Sequence, residues 1–214
     1  STLVKLLSCE EYPTSGKVFI DDYDISELKR SLVPYLRRNI GMIFQDFRLI
    51  TSKTVYENVA FAMEIVHQPK RLIDKYVPQV LSMVGVADMA DKYPDELSAG
   101  EQQRVAIARA IVNKPRILIA DEPTGNLDPD TAWEIMQLLD QINMRGTTIL
   151  MVTHAKDIVD KMGKRVIAIE KGRIVRDEFG TYGFEEALAE VDVSTDTIQS
   201  RRTFRSRFKR GGQV

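Results

Sequence analysis

The second half of the chain alternates short apolar runs with longer amphipathic stretches. The apolar runs 116–120 and 147–152 predict buried strands, and the stretches 99–113 and 129–143 predict helices beside them. Asp128 followed by a proline is typical of a helix N-cap and first position. Continuous apolar strands that alternate with helices favour a parallel sheet covered on both faces. This half of the chain therefore predicts an α/β fold.

Other segments add a helix and further strands to this sheet. Residues 1–10 place leucines on one face of a helix, and residues 17–20 and 39–44 predict strands. Further along the chain, residues 165–169 and 173–176 predict a closing hairpin. The mainly parallel sheet is therefore expected to carry an antiparallel β part.

Residues 51–97 follow a helical pattern. Thr54 and Glu57 have the spacing of a capping box, in which each side chain binds the backbone N–H group of the other residue. Pro69 interrupts the block, and a second helix is expected over about 70–84. The block therefore predicts a separate set of helices between two parts of the sheet.

The composition excludes several classes of protein. Hydrophobic residues make up 43% of the 214 residues and charged residues 29%, which is ordinary for a globular domain. The net charge of −1 gives no reason to expect a nucleic-acid partner. The single cysteine, Cys9, excludes an internal disulfide framework. No apolar run reaches the roughly 18 residues of a membrane span, so we expect a cytosolic chain.

Two carboxylates at the end of the strand 116–120 are the strongest chemical feature. Asp121 and Glu122 follow this strand directly, and in open α/β sheets ligands bind beyond the carboxyl ends of the strands. We expect Asp121 to hold Mg²⁺ on nucleotide phosphates, through water, and Glu122 to polarise the attacking water as a general base. Taken alone, the pair equally fits a strand that ends in a loop.

A histidine and a glutamine are predicted at the same edge of the sheet. His154 lies 32 residues after Glu122, and a βαβ unit takes about 30 residues, so His154 is expected beside Glu122 and a γ-phosphate. His67 is expected on a surface loop. Gln45 ends the strand 39–44, where its amide either senses Mg²⁺ or water or caps the loop.

The octet from Leu97 to Arg104 predicts the start of a helix. Ser98 and Glu101 form a second capping box, and the free N–H groups of a helix start suit a phosphate. Gly100 lets another surface approach the backbone closely. Any capped helix shows part of this pattern, and the complete octet is far more specific.

Together these stretches resemble the nucleotide-binding domain of ABC ATPases, and they stand in the order of that family. The matching segments are the signature motif at 98–102, the Walker B strand at 118–122, the D-loop at 125–128, the Q-loop at Gln45 and the switch histidine at His154. The resemblance implies an ABC-type P-loop ATPase core at 1–50 and 98–180, a helical subdomain at 51–97 and a C-terminal extension at 181–214.

The resemblance also implies ATP and Mg²⁺ as ligands and a dimer that closes on ATP. The implied catalytic residues are Glu122 and His154; the ATP-binding residues are Ser1, Thr2, Gln45, Ser98, Gly100, Gln102 and Asp128; the metal-binding residues are Ser1, Gln45 and Asp121. Ala99 stands where the family usually has glycine, and we expect it to tune ATP affinity or rate.

Ser1-Thr2-Leu3 matches the end of the Walker A motif, with Ser1 as a Mg²⁺ ligand and Thr2 as a phosphate contact. The glycine-rich loop, its lysine and the strand before them are missing. We expect that the sequence omits an N-terminal segment, and that ATPase activity belongs to the full-length protein.

Within the family, residues 35–46 and 54–59 resemble the ATPases of bacterial cell division most. This resemblance implies a membrane partner of the FtsX type, which meets the helical subdomain and the Q-loop, and control of cell-wall hydrolases from the cytoplasmic face of the cell membrane. Residues 120–128 are shared with lipoprotein and macrolide exporters. An exporter ATPase therefore remains an alternative, as does a non-hydrolytic docking module if the chain is truly truncated.

The C-terminal tail is basic. After Asp196 it has no acidic residue and six cations, each of which would contribute about 1 kcal/mol if the tail lay near an anionic membrane surface. Phe204 and Phe208, four residues apart, favour a helix on a membrane or partner surface. A solvated end fits the composition equally well. The six cations are Arg201, Arg202, Arg205, Arg207, Lys209 and Arg210.

Overall fold

The computed structural model describes residues 2–180, and these divide into two compact units with the boundary between residues 158 and 159. Ser1 and the basic tail lie outside the described residues, so the roles predicted for them stay predictions. Within residues 2–180, no helix combines the length and the apolar character needed to cross a membrane.

Helices and strands follow one another in the order of an α/β fold. The helices are α1 (Thr2–Leu7), α2 (Val33–Arg37), α3 (Val55–Glu64), α4 (Lys70–Val84), α5 (Ala99–Ile111), α6 (Pro129–Met144) and α7 (Lys156–Met162). The strands are β1 (Phe19–Ile20), β2 (Tyr23–Asp24), β3 (Ile40–Ile43), β4 (Ile117–Asp121), β5 (Thr148–Val152), β6 (Arg165–Glu170) and β7 (Arg173–Phe179). Short 3₁₀ helices span Ala87–Met89 and Pro94–Glu96.

A parallel sheet of three strands, in the order β3-β4-β5, organises the first unit. Ala120 on β4 is in register with Ile43 on β3 and with Met151 on β5. The middle residues of β4 are buried, with Leu118 and Ala120 at 0% exposure. Because parallel strands end at the same edge, the sheet brings the residues after β3, β4 and β5 together.

Capping side chains fix where the main helices begin. Thr54 and Ser98 each form the predicted capping box, at the starts of α3 and α5. The carboxylate of Asp128 accepts a hydrogen bond of 3.0 Å from the backbone N–H of Thr131, and a proline takes the first position of α6. Each cap accepts hydrogen bonds from N–H groups that have no partner within the helix. Such a cap contributes about 1 kcal/mol to stability.

The second unit contains the predicted antiparallel hairpin, formed by β6 and β7. Lys171 and Gly172 make its turn with φ values of 48° and 78°. Positive φ at both turn positions matches the right-handed twist of the two strands. The Arg165 guanidinium binds the carboxylate of Asp177 through two hydrogen bonds, of 2.6 Å and 2.7 Å.

The predicted α/β fold, with its mainly parallel sheet and antiparallel parts, is confirmed, and several details differ. The strand predicted over 17–20 contains only Phe19 and Ile20, which pair with β2 across a tight turn. The five-residue helix α2 and the seven-residue helix α7 were not predicted. Both are shorter than the window over which helical periodicity can be read.

Asn58 on α3 fixes the segment that follows β3. Its side chain is completely buried, and its Oδ1 atom accepts a hydrogen bond of 2.8 Å from the backbone N–H of Ile50. Its Nδ2 atom lies 3.0–3.1 Å from the carbonyl oxygens of Ile50, Lys53 and Thr54. The Asn58 amide therefore provides hydrogen-bond partners for both the N–H and the carbonyl groups of this loop, which does not pair with a strand.

Replacing Asn58 by alanine is expected to lower the free energy of unfolding by about 2–4 kcal/mol, because buried backbone groups lose their partners. Urea denaturation of the purified protein would measure the change. The matched control is Glu64→Ala, an exposed change on the same helix. A loss below about 0.5 kcal/mol for Asn58→Ala would show that the loop finds other hydrogen bonds.

Candidate functional site

The carboxyl end of β4 carries the two predicted carboxylates. Asp121 is the last residue of the strand and pairs with Val152 on β5. The backbone N–H of Glu122 extends this pairing by one residue, since it donates to the Val152 carbonyl oxygen at 2.8 Å. Glu122 therefore leaves the sheet in a position fixed by the neighbouring strand.

Glu122 and His154 meet at this edge, as the spacing predicts. The Nδ1 atom of His154 lies 2.7 Å from the Oε1 atom of Glu122. The Glu122 side chain is 18% exposed, whereas that of His154 is 84% exposed. An ionised carboxylate can only accept, so Nδ1 carries the hydrogen and Nε2 is the ring nitrogen without one. The pair is thus held together through Nδ1 on an imidazole that is largely exposed.

The backbone of Glu122 adopts the left-handed conformation, with φ of 48°. A residue other than glycine in this region costs about 1–3 kcal/mol and persists only where its surroundings fix it. The carbonyl oxygen of Glu122 accepts a hydrogen bond of 3.2 Å from the N–H of Gly125, which closes a turn directly after the strand. This turn directs the Glu122 side chain to the open edge of the sheet.

Gln45 and Asp121 line one cavity of about 290 Å³ at this edge, together with Asn126. The Nδ2 atom of Asn126 donates to the Gln45 carbonyl oxygen at 3.0 Å, which ties the segment after β3 to the segment after β4. Carboxylate and amide oxygens are ligands that Mg²⁺ accepts, and the cavity that Asp121 and Gln45 line has room for water. The chemistry of these two side chains therefore fits the predicted metal.

An arginine from α5 holds the segment that contains Gln45. Phe47 and Arg48 have φ values of 58° and 48°, and Arg109 donates to their carbonyl oxygens at 2.8 Å and 2.6 Å. Burial lowers the pKa of the Arg109 guanidinium. These two hydrogen bonds offset part of the cost of removing its charge from water.

The predicted signature residues lie at the start of α5. The Ser98 hydroxyl donates to the Oε2 atom of Glu101 at 2.7 Å, and the Ser98 N–H donates to the same atom at 2.7 Å. These hydrogen bonds from Ser98 lower the pKa of the Glu101 carboxyl group. The Gln102 side chain donates to the Leu97 carbonyl oxygen at 3.1 Å. These hydrogen bonds fix the conformation of the residues where α5 begins.

Gly100 allows the starts of α5 and α6 to touch. A Cβ atom at this position would lie 2.5 Å from the Cγ2 atom of Thr131 on α6. Asp128, which caps α6, has a pKa lowered by its hydrogen bonds to Thr131. The close approach expected at Gly100 is thus made by the same chain, and it places the signature residues beside Asp128.

The predicted site residues therefore fall into two groups. Gln45, Asp121, Glu122 and His154 gather at the carboxyl ends of the strands, and Ser98, Gly100, Gln102 and Asp128 gather where α5 and α6 begin. Within residues 2–180, none of the hydrogen bonds made by the side chains of the second group reaches Glu122 or His154. Thr2 opens α1 and is exposed, and Val4 on the same helix shares a core cluster with Ile119 of β4.

Three structural features of the site are absent from the sequence predictions. They are the left-handed turn at Glu122, the Arg109 contacts, and the buried Gln103 of α5. A signal existed for Gln103, because it lies on the apolar stripe of α5 with Ile107 and Ile111, at spacings of four residues. A polar residue on an apolar stripe indicates a buried hydrogen bond.

Comparison with known proteins identifies several relatives. The family model described as ABC transporter matches residues 1–125. The cell division ATP-binding protein FtsE of Bacillus subtilis is 54% identical over 184 residues, which cover 86% of this chain and 81% of the relative. FtsE of Mycobacterium tuberculosis is 54% identical over 186 residues, with the same coverage of both.

Solved structures of ATP-binding cassettes share the fold. A dimeric, post-hydrolysis cassette bound to ADP and Pi is 36% identical, with a TM-score of 0.74 over 83% of this chain and 79% of that chain. The CbiO1 protein of Clostridium perfringens, part of an ABC transporter complex, is 34% identical, with a TM-score of 0.77 over 88% of this chain and 74% of that chain.

Replacing Gly100 by alanine is expected to destabilise the protein by about 1–3 kcal/mol, because the added methyl group pushes α5 away from α6. The second change Thr131→Ser removes the methyl group that is overlapped and is expected to restore at least half of the loss. Thermal unfolding of the single and double variants would measure both effects. A double variant no more stable than Gly100→Ala would contradict this packing.

Proposed function

This chain belongs to the ABC transporter family of ATP-hydrolysing proteins, and we propose that it is the ATPase subunit of a bacterial cell-division complex of the FtsEX type. The support for ATP hydrolysis is the Glu122–His154 pair beside Asp121 and Gln45. The support for cell division is the 52–54% identity to FtsE proteins of three bacterial genera. By comparison, a methionine import ATP-binding protein of Mannheimia succiniciproducens is 40% identical.

In this proposal Glu122 activates the water that attacks ATP. The water oxygen forms a bond to the γ-phosphorus as the bond to the β-phosphate oxygen breaks, and a carboxylate oxygen of Glu122 accepts the proton. The products are ADP and inorganic phosphate. His154 keeps the Glu122 carboxylate in place through Nδ1 and presents Nε2 to the γ-phosphate. The carboxylate is largely shielded from solvent, which strengthens both interactions.

Asp121 and Gln45 are proposed to hold Mg²⁺ at the cavity that they share, with Ser1 as a further ligand outside the described residues. When bound, the metal neutralises charge on the phosphates. The contact between Asn126 and the Gln45 backbone keeps the cavity walls together. Thr2, at the start of α1, is proposed to contact a phosphate.

The second group of residues is proposed to bind the nucleotide of another subunit. Ser98, Gly100 and Gln102 stand at the start of α5, where the positive end of the helix dipole suits a phosphate. Asp128 stands beside them at the start of α6. A dimer that closes on ATP would join each α5 start to the partner's Glu122 and His154, and related cassettes form dimers.

A groove between β3, α3 and α5 is proposed to receive the membrane partner. It has a volume of about 660 Å³ and is lined by apolar residues, among them Phe61 of α3 and Ile65 directly after that helix, and by Arg38 and Arg48. This lining suits a partner segment with apolar and acidic side chains. The groove joins the segment after Gln45 to the proposed helical subdomain, 51–97, whereas residues 1–50 and 98–180 form the proposed ATPase core.

The proposed partner is a membrane protein of the FtsX type, with the chain bound at the cytoplasmic face of the membrane. ATP turnover would change the conformation of this partner and so control cell-wall hydrolases. The basic tail, outside the described residues, is proposed to add contacts to anionic lipid.

The variant Glu122→Gln of the full-length protein is expected to lose roughly 10²–10⁴-fold in the kcat of Mg²⁺-dependent ATP hydrolysis, because its amide cannot accept the proton of water. ATP binding should remain, since the proposed phosphate and metal contacts lie on other residues. Phosphate release and nucleotide binding, measured side by side, would separate the two effects. Unchanged turnover would contradict the assignment of Glu122 as the base.

The variant Ile65→Asp is expected to lose co-purification with the membrane partner, because a carboxylate enters the apolar part of the groove. Met144→Asp is the matched control, since both side chains are exposed and apolar and Met144 lies at the end of α6. Affinity purification from detergent-solubilised cells would measure how much of the membrane partner each variant retains. Recovery of an exporter permease instead of an FtsX-type protein would overturn the proposed complex.

A further inference from the structure

The turn after β4 depends on a third hydrogen bond that comes from α5. The Nε2 atom of Gln103 donates to the carbonyl oxygen of Pro123 at 2.6 Å. Pro123 directly follows Glu122, whose backbone has a φ of 48°. The N–H and the carbonyl oxygen of Glu122 are bonded to Val152 and Gly125. The Gln103 bond therefore holds the carbonyl oxygen of the residue that directly follows Glu122.

The side chain of Gln103 is completely buried, and within residues 2–180 its Oε1 atom has no hydrogen-bond partner. An apolar side chain of the same length would avoid the cost of burying that oxygen. The carbonyl oxygen of Pro123 can only accept, so the amide nitrogen must face it and Oε1 must face away. The amide is thus oriented by the turn, at a cost to the stability of the core.

Gln103 also lies five residues after Ser98, on the helix that begins with the signature residues. The helix α5 therefore begins at the signature residues and, five residues later, supports the Glu122 turn through Gln103. A displacement of the first turns of α5 would move the donor at Pro123. Its effect would reach the Glu122 carboxylate through the backbone.

We propose that Gln103 is a positioning residue for Glu122: its buried amide holds the left-handed turn that aims the general base, and links that turn to the signature helix. The inference rests on the proposed role of Glu122. It concerns the rate of the chemical step and leaves ATP binding to other residues.

The test compares Gln103→Met and Gln103→Glu in the full-length protein. Methionine keeps the length of the side chain and removes the donor, so kcat should fall roughly tenfold or more while the KM for ATP changes less than about twofold. Gln141→Met, an exposed change on α6, is the matched control and should keep the kcat of the unaltered protein.

The Gln103→Glu variant separates positioning from packing. A protonated carboxyl group can donate to the Pro123 carbonyl oxygen, whereas an ionised one repels it. The kcat of Gln103→Glu, divided by that of the unaltered protein at each pH, should therefore rise as the pH falls from about 8 to about 6. The corresponding ratio for Gln103→Met should stay flat, because methionine does not titrate.

Two results would overturn the inference. One is a folded Gln103→Met variant with a kcat within twofold of the unaltered protein. The other is a Gln103→Glu ratio that is flat with pH and as low as that of Gln103→Met even at the lowest pH at which the protein is folded. If Glu122→Gln has lost turnover in the same assays, either result rejects only the positioning role of Gln103 and leaves Glu122 as the proposed base. Retained turnover in Glu122→Gln would instead reject the proposed base.

Discussion

Burial of β4 between two parallel strands determines where the chemistry of this protein can occur. Leu118, Ile119 and Ala120 are almost completely inaccessible, so the strand cannot shift its register without exposing apolar side chains. Its last residue, Asp121, is paired with β5, and the N–H of Glu122 bonds to the carbonyl oxygen of the last residue of β5. Two carboxylates therefore emerge at a fixed point, beside the segments that follow β3 and β5.

The rest of the site follows from that point. The segment after β5 brings His154 to Glu122, and the segment after β3 brings Gln45 to the cavity of Asp121. The helix α5 supports the segments after β4 and β3. Gln103 donates to the carbonyl oxygen of Pro123, and Arg109 donates to those of Phe47 and Arg48. One helix thus connects the signature residues with the backbone around the proposed base and around Gln45. Such a connection gives a physical route by which a partner bound in the groove would influence hydrolysis.

Much of this arrangement could be predicted from sequence, because local signals determined it. Apolar runs predicted the strands β3, β4 and β5, capping residues predicted the starts of α3, α5 and α6, and spacing predicted the pairing of His154 with Glu122. The features that escaped prediction depend on contacts distant in sequence. Nothing local indicates that Glu122 adopts a left-handed backbone or that Arg109 binds carbonyl oxygens about sixty residues away. The sequence predicts a close approach at Gly100, but only the structure identifies Thr131 as the group that approaches.

Glu122 and His154 are proposed to act as one unit, and nitrogen NMR of the imidazole rings tests this pairing most directly. The chain has two histidines, so labelling with ¹⁵N-histidine gives two sets of signals, and a His67→Asn variant assigns them. At about pH 8, where free imidazole is neutral, His154 should carry its hydrogen on Nδ1 and lose that preference in Glu122→Ala, which removes the acceptor. A His154 ring with its hydrogen mainly on Nε2, unchanged by Glu122→Ala, would contradict this pairing.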